Sequence, residues 1–365
     1  MQGPGARMRA EVGGVLLSPR LAGVKPYTPP TGRGSARLLL DANEGAAAGS
    51  AVREILEKVD LERVRRYPEA GLLEALLGER VGVEPDRVVV TAGGDDAIHR
   101  VCAMTLDAGR RLVTHAPVFE MIPRYARLAG AEVQQVAWLH GAFPLEKLTS
   151  KIDAQTGLVA VVSPNNPTGA AAPVRDVVEV SRAALRRRVV ALIDLAYAEF
   201  ADVDPTPALL EMNNVVMIRT LSKAFGLAGL RVGYAVCPRE LAPMVRAAGG
   251  PYPVSGLSLA VAEALVRRWD RAEAWMQEVR VQREELSEAL RELGAQPLAS
   301  QANFVTAEFA DAAGVHAGLL EKGISVRAFG GAMERFLRFT LSGRPEEFEE
   351  LLSALRTVCR AKGVL

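Results

Sequence analysis

The stretch Thr220-Leu-Ser-Lys-Ala-Phe-Gly-Leu-Ala-Gly-Leu-Arg231 places one lysine among hydroxyls and glycines, directly behind the apolar run Val215–Ile218. A lysine at the end of a buried strand loses part of its hydration, which lowers its pKa and frees the amine as a nucleophile. Arg231 adds a second cation, and Thr220 and Ser222 add hydroxyl donors. Together they suit a phosphate held beside an amine that can form a Schiff base. A surface lysine after a core strand would look similar in isolation, so the rest of the chain must decide.

Three further stretches carry chemistry at the ends of apolar runs. Thr91-Ala-Gly-Gly-Asp-Asp-Ala-Ile98 reads as a strand-to-helix turn. Its glycines admit a ligand close to the backbone, and its free N–H groups attract an anion; Asp95 and Asp96 fit helix capping equally well. Ser163-Pro-Asn-Asn-Pro-Thr-Gly169 is a fixed turn that aims the Asn166 amide into a site. Asp194 ends Val189-Val-Ala-Leu-Ile-Asp194, with Tyr197 three residues on. A carboxylate there is costly unless it is paired, caps a helix or serves a site, such as holding the proton of a pyridine nitrogen.

These stretches need elements to position them. Helices are expected at 50–60, 71–81, from Gly93, at 119–129 and at 175–187. Strands are expected at 88–91, 111–114, 132–137, 158–163, 189–194, 215–220 and 234–236. Val-, Ile- and Leu-rich strands without polar alternation, separated by helices, predict a mostly parallel sheet covered on both faces. Ligands bind such sheets beyond the carboxyl ends of the strands, where the polar stretches fall. After Pro251-Tyr-Pro253 the pattern changes to one long helical region, 257–293, and then to strands 303–307, 324–328 and 335–340 with helices 311–322 and from 345. The organisation expected is an N-terminal arm (1–45), with a short strand inside Ala36–Ala42, that packs with the small domain and a partner subunit; a large domain (46–255); and a small α+β domain (256–365).

Composition narrows the function. At 365 residues the chain exceeds what one core usually supports. A net charge of +1, from 44 basic and 43 acidic residues, argues against nucleic acid or a membrane surface as partner. Three scattered cysteines (Cys102, Cys237, Cys359) suit a reducing, cytosolic compartment, and no secretory leader or membrane-spanning run is read. His99, His115, His140 and His316 lack metal-ligand spacing and read as packing or surface histidines, so no metal is expected.

With Arg66-Tyr-Pro68, Ala302-Asn-Phe304, Gly323-Ile-Ser-Val-Arg327 and Phe336-Leu-Arg-Phe-Thr340 added to these stretches, the chain resembles the pyridoxal-phosphate aminotransferases of fold type I, and most of all the histidinol-phosphate aminotransferase family. The resemblance implies a cytoplasmic homodimer of histidine biosynthesis that moves an amino group between histidinol phosphate and 2-oxoglutarate. It implies Lys223 as the Schiff-base lysine, Asp194 on the pyridine nitrogen, and Asn166 and Tyr197 on the cofactor's phenolic oxygen. Phe119 would stack on the ring, where the family commonly has Tyr. Gly94, Asp95 through its N–H, Thr220, Ser222 and Arg231 would surround the phosphate, with Tyr67 reaching the phosphate of the other subunit. Arg338 would clamp a substrate carboxylate, and Arg327, Tyr27 and Asn43 would line the substrate side; Tyr27 could equally be a surface anchor and Arg327 a solvated strand residue.

The chain departs from the family's pattern at Asp41 and Gly45, where Asn and Asn-Pro are more typical, at Pro253, and in the short Phe329-Gly-Gly331 segment. All lie toward the substrate. A threonine-phosphate decarboxylase or a broad aromatic aminotransferase on the same fold, and a non-catalytic cofactor-binding protein, are the alternatives.

Overall fold

The computed structural model describes residues 11–12, 14–21, 24, 26, 33–45 and 49–361. Tyr27 lies outside them. A seven-stranded sheet runs in the order Val88–Thr91, Gly233–Val236, Val215–Thr220, Val190–Asp194, Thr156–Val162, Arg111–Ala116, Glu132–Ala137. Gly233–Val236 is antiparallel to both neighbours, and the remaining pairings are parallel. The central strands are buried along their whole length, as unbroken Val, Ile and Leu runs require when helices cover both faces. Each fully buried Val or Leu side chain contributes about 1.5–3 kcal/mol.

The register gathers the polar ends. Val162 pairs with Asp194, and Asp194 pairs with Ile218, so these parallel strands deliver Ser163, Asp194 and Thr220 to one edge. Gly233 pairs with Thr220 on one side and Thr91 on the other. Its missing side chain matters, because a Cβ there would come within 2.4 Å of the Gly93 carbonyl carbon and 2.5 Å of the Gly94 nitrogen. The start of the helix Gly93–Thr105 is thereby laid against the lysine stretch.

A second sheet of five strands runs Gln296–Pro297, Phe304–Glu308, Phe336–Thr340, Ile324–Ala328, Leu38–Leu40. Its last member comes from the N-terminal segment and pairs parallel with Ile324–Ala328. Leu38 and Leu40 point inward while Leu39 is exposed, the alternation of a half-buried edge strand. The single helix expected over 257–293 is instead two, Gly256–Val266 and Trp269–Glu292. No Pro or Gly causes the break. The Trp269 ring packs edge-on against Phe225 at 4.9 Å and lies 3.7 Å beneath the Arg80 guanidinium, so tertiary contacts redirect the chain at Arg268.

Candidate active site

One cavity of about 790 Å³ opens where the carboxyl edge of the large sheet meets the second sheet. Gly94, Asp95, Phe119, Asn166, Asp194, Tyr197, Thr220, Ser222, Lys223, Arg231, Arg327, Arg338 and Asn43 all line it. Of the expected site residues that the structure describes, Tyr67 alone stands away. It is 79% exposed and stacks on Tyr252 with ring centroids 4.6 Å apart.

The floor comes from the large sheet. Lys223 sits one turn past Thr220, and its Nζ donates to the Ala42 carbonyl at 3.2 Å. Burial, and then the Arg338 cation, push its amine down to about 8 from an ordinary 10.5, against the opposing pull of Glu44 and Asp95. The amine is thus readily available uncharged. Asp194 accepts from the Ala196 N–H at 3.0 Å and, among the described residues, forms no ion pair. Burial pushes its carboxyl up to about 7, with Asp95 adding to the rise and Lys223 opposing it. Tyr197 is pushed up to about 12 by burial and stays a phenol, accepting from Asn43 Nδ2 at 3.0 Å.

Beside Lys223, Thr220 Oγ1 donates to Ser222 Oγ at 2.9 Å. The Arg231 guanidinium lies over Gly93, close enough that a Cβ there would come within 2.5 Å of Nη2, and it donates to Asp95 Oδ2 at 3.0 Å. Gly93 itself has φ +81, a conformation that suits glycine. A helix N-terminus, two hydroxyls and a guanidinium around a side-chain-free approach fit a phosphate. A buried carboxylate with no ion pair among the described residues fits a protonated ring nitrogen, and an amine whose pKa is lowered fits an aldehyde. The donor set therefore accommodates pyridoxal phosphate.

The roof comes from the second sheet and the N-terminal segment. Arg338 is buried; its Nη1 donates to Asn166 Oδ1 at 2.6 Å and its Nη2 to the Asp41 carbonyl at 2.9 Å. Arg327 is its cross-strand partner. The Phe329 ring lies 5.9 Å from the Arg338 guanidinium and 6.0 Å from that of Arg327. Asn43, at φ +54 and almost fully buried, is committed to the protein itself. Its N–H donates to Thr340 Oγ1 at 3.0 Å, its Oδ1 accepts from Thr340 at 3.2 Å, and its carbonyl accepts from Asn303 Nδ2 at 3.3 Å. Its amide thus orients Tyr197, and the residue also lines the cavity on the side where a substrate contact is expected of it. The carbonyls of Asp41 and Ala42 were not foreseen, although a carboxylate ending the run Leu38-Leu-Leu-Asp41 was a signal that the segment is built in.

His115 is a packing histidine, as its spacing implied. Its Nδ1 lies 3.1 Å from the Pro117 carbonyl, its Nε2 accepts from the Val162 N–H at 3.1 Å, and burial pushes it down to about 4. Among the described residues no cluster of His, Cys, Asp and Glu could hold a metal ion.

Known proteins share this sequence pattern and fold. The profile of the family "Aminotransferase class I and II" matches residues 40–355. Histidinol-phosphate aminotransferase 1 of Carboxydothermus hydrogenoformans is 33% identical over 92% of this chain and 96% of its own length. Histidinol-phosphate aminotransferase of Jannaschia sp. is 36% identical over 81% of this chain and 84% of its own. The crystal structure of histidinol-phosphate aminotransferase from Sinorhizobium meliloti in complex with pyridoxal-5'-phosphate superposes with a TM-score of 0.85 at 23% identity, covering 95% of this chain and 98% of that one. The chain belongs to the class I and II aminotransferases, and within them to the histidinol-phosphate aminotransferase family.

Proposed function

We propose that this pyridoxal-phosphate-dependent aminotransferase takes its amino group from histidinol phosphate and passes it to 2-oxoglutarate. The observation that carries the reading is the placement of Arg327 opposite Arg338 on neighbouring strands, both lining the cavity that holds Lys223. Like charges directly opposite each other are destabilising. Such a pair is sensible where an anionic substrate neutralises it, and a phosphorylated amine and a dicarboxylic 2-oxo acid both do so.

Each residue has a task in that reading. The bound cofactor supplies an electron sink for the substrate's α-type carbon. The Lys223 amine would hold the cofactor's aldehyde and, when free, would serve as general base and acid at the substrate's α-type carbon. Asp194 would favour the protonated ring nitrogen. Asn166 and Tyr197 would hold the phenolic oxygen, and Phe119 would pack against the ring. Gly94, the Asp95 N–H, Thr220, Ser222 and Arg231 would hold the phosphate. Arg338 clamps the oxo acid's carboxylate in bidentate fashion, and Arg327 faces the donor's phosphate. Asn43 contributes from the substrate side by holding Tyr197.

The reading includes a homodimer. Tyr67, Leu61 and Val64 are 79%, 74% and 63% exposed on one short segment, an apolar patch that a second copy would cover, with Tyr67 reaching the partner's phosphate site. Sedimentation of a monomer at micromolar concentration would remove that part. A cytoplasmic location fits the buried, unpaired thiols of Cys102, Cys237 and Cys359. No helix among the described residues is long and apolar enough to cross a membrane.

The test is a half-reaction watched by absorbance. Histidinol phosphate should bleach the visible band of the lysine-bound cofactor, and 2-oxoglutarate should restore it. Bleaching only by aromatic amino acids would overturn the substrate, and carbon dioxide released from phosphothreonine would overturn the reaction.

A further inference from the structure

Residues 41–45 cross the roof of the cavity, and almost every one of them holds a different part of it. The Asp41 carbonyl accepts from Arg338, the Ala42 carbonyl accepts from Lys223 Nζ, and the Asn43 amide donates to the Tyr197 hydroxyl. Gly45 lies directly on the lysine turn, where a Cβ would meet the Lys223 carbonyl oxygen and come within 3.0 Å of Gly226. A shift of this strap by an ångström would therefore disturb the carboxylate receptor, the amine and the phenol together.

One side of the strap is fixed by Asn303 and Thr340 through Asn43. The other side hangs on Asp41. Its side chain is only 2% exposed, and an ionised carboxylate so deep is tolerated only when paired and hydrogen-bonded. Arg33 supplies a two-pronged pair, Nε to Oδ2 at 2.8 Å and Nη2 to Oδ1 at 2.6 Å. Ser325 Oγ adds a third bond to Oδ2 at 2.7 Å. The planar fork fixes orientation as well as distance, which a single bond would not do.

We infer that Asp41 is a positioning residue, latched by Arg33 and Ser325 so that its own carbonyl and that of Ala42 hold Arg338 and Lys223 in their working geometry. Arg33 thereby connects the N-terminal arm to substrate recognition without touching substrate. This inference rests on the reading of Arg338 as the carboxylate receptor. It also gives a physical reason for the charged residue at position 41: an asparagine would keep the bond to Ser325 and lose the fork to Arg33.

The experiment uses the full-length holoenzyme and two readouts. The first is hydrogen exchange over residues 38–45 without ligand; the second is binding of maleate, an unreactive dicarboxylate, followed by the bound cofactor's spectrum. Asp41→Asn should speed exchange in the strap and weaken maleate about tenfold, as expected for loss of a charge-assisted bond. It should raise KM for the oxo acid more than it lowers kcat. Arg33→Gln should act in the same direction, and the double variant should be no worse than Asp41→Asn, because two halves of one fork are not additive. Unchanged exchange, additive effects, or faster exchange with unchanged maleate binding would each overturn the latch. Arg338→Lys binding maleate as tightly as the parent would instead strike the receptor reading, while the exchange data on the strap would still stand.

Discussion

The floor and the roof of the cavity are built in opposite ways. On the floor, Lys223 follows its strand by three residues, Asp194 ends its strand, and Gly94 lies in the first turn of the helix that opens at Gly93, two residues after Thr91. Each group is delivered by a short local turn at the edge of a parallel sheet, and the packed core behind fixes the distances. On the roof, Arg338 is held by a carbonyl 297 residues away in sequence and by Asn166, 172 residues away. The floor determines which bonds can be broken; the roof determines whose. A fold can thus keep its chemistry in rigid local motifs and vary its substrates through long-range contacts, which individually cost little to alter.

The sharpest way to separate the two halves is to remove the floor's nucleophile. Lys223→Ala should lower turnover by more than about 10⁴-fold, because nucleophile and proton carrier are lost together. The visible band of lysine-bound cofactor should vanish, while the roof loses only the Lys223–Ala42 bond, keeps the bonds of Arg338 to Asn166 and Asp41, and maleate still protects the strap in hydrogen exchange. A variant that retains near-normal turnover would remove Lys223 from the mechanism.

Asp194 tests the other side of the floor, since it is held in an environment that disfavours its charge. Its folded pKa, about 7, lies above the ordinary 3.8. Between those values the folded chain binds the proton more tightly than the unfolded chain, so the group's contribution falls as pH rises through this window and stays low above it. In the cofactor-free protein, Asp194→Asn should therefore raise stability at pH 8, by about 2–4 kcal/mol. The gain should shrink toward zero near pH 4. Denaturant titrations at the two pH values check this; equal effects at both would show that the carboxylate is not the source. Activity should fall in the same variant, a trade of stability for function.

The same contrast governs how much could be read from sequence. Lys223, Asp194, Asn166 and the Gly93-Gly94 turn were legible because each is punctuated locally by an apolar run followed by glycine, proline or a charge. The α/β architecture was legible for the same reason. The break at Arg268 was not, since nothing in the local sequence interrupts the helix and only the packing of Trp269 against Phe225 and Arg80 redirects it. Asn43 was legible as a site residue but its bonds were not, because its partners Thr340, Asn303 and Tyr197 come from distant strands and loops. Position 41 stood out as a departure, yet its meaning needed Arg33 and Ser325 in space.

The smallest expected effect is on the roof and refines the comparison most. Arg327→Gln removes the second cation of the cross-strand pair and leaves Arg338 with its bonds to Asn166 and Asp41. Arg327 is only partly buried, so solvent already screens it and the loss should be modest, about tenfold in kcat/KM for the phosphorylated donor. The half-reaction with the unphosphorylated amine should change by less than about threefold, because its side chain offers no anion to screen. Removing one of two opposed cations also relieves repulsion, so the variant should be no less stable than the parent. Equal losses for phosphorylated and unphosphorylated donors would mean that Arg327 shapes the roof without reading the substrate's charge, and discrimination would then pass to Phe329 and the strap.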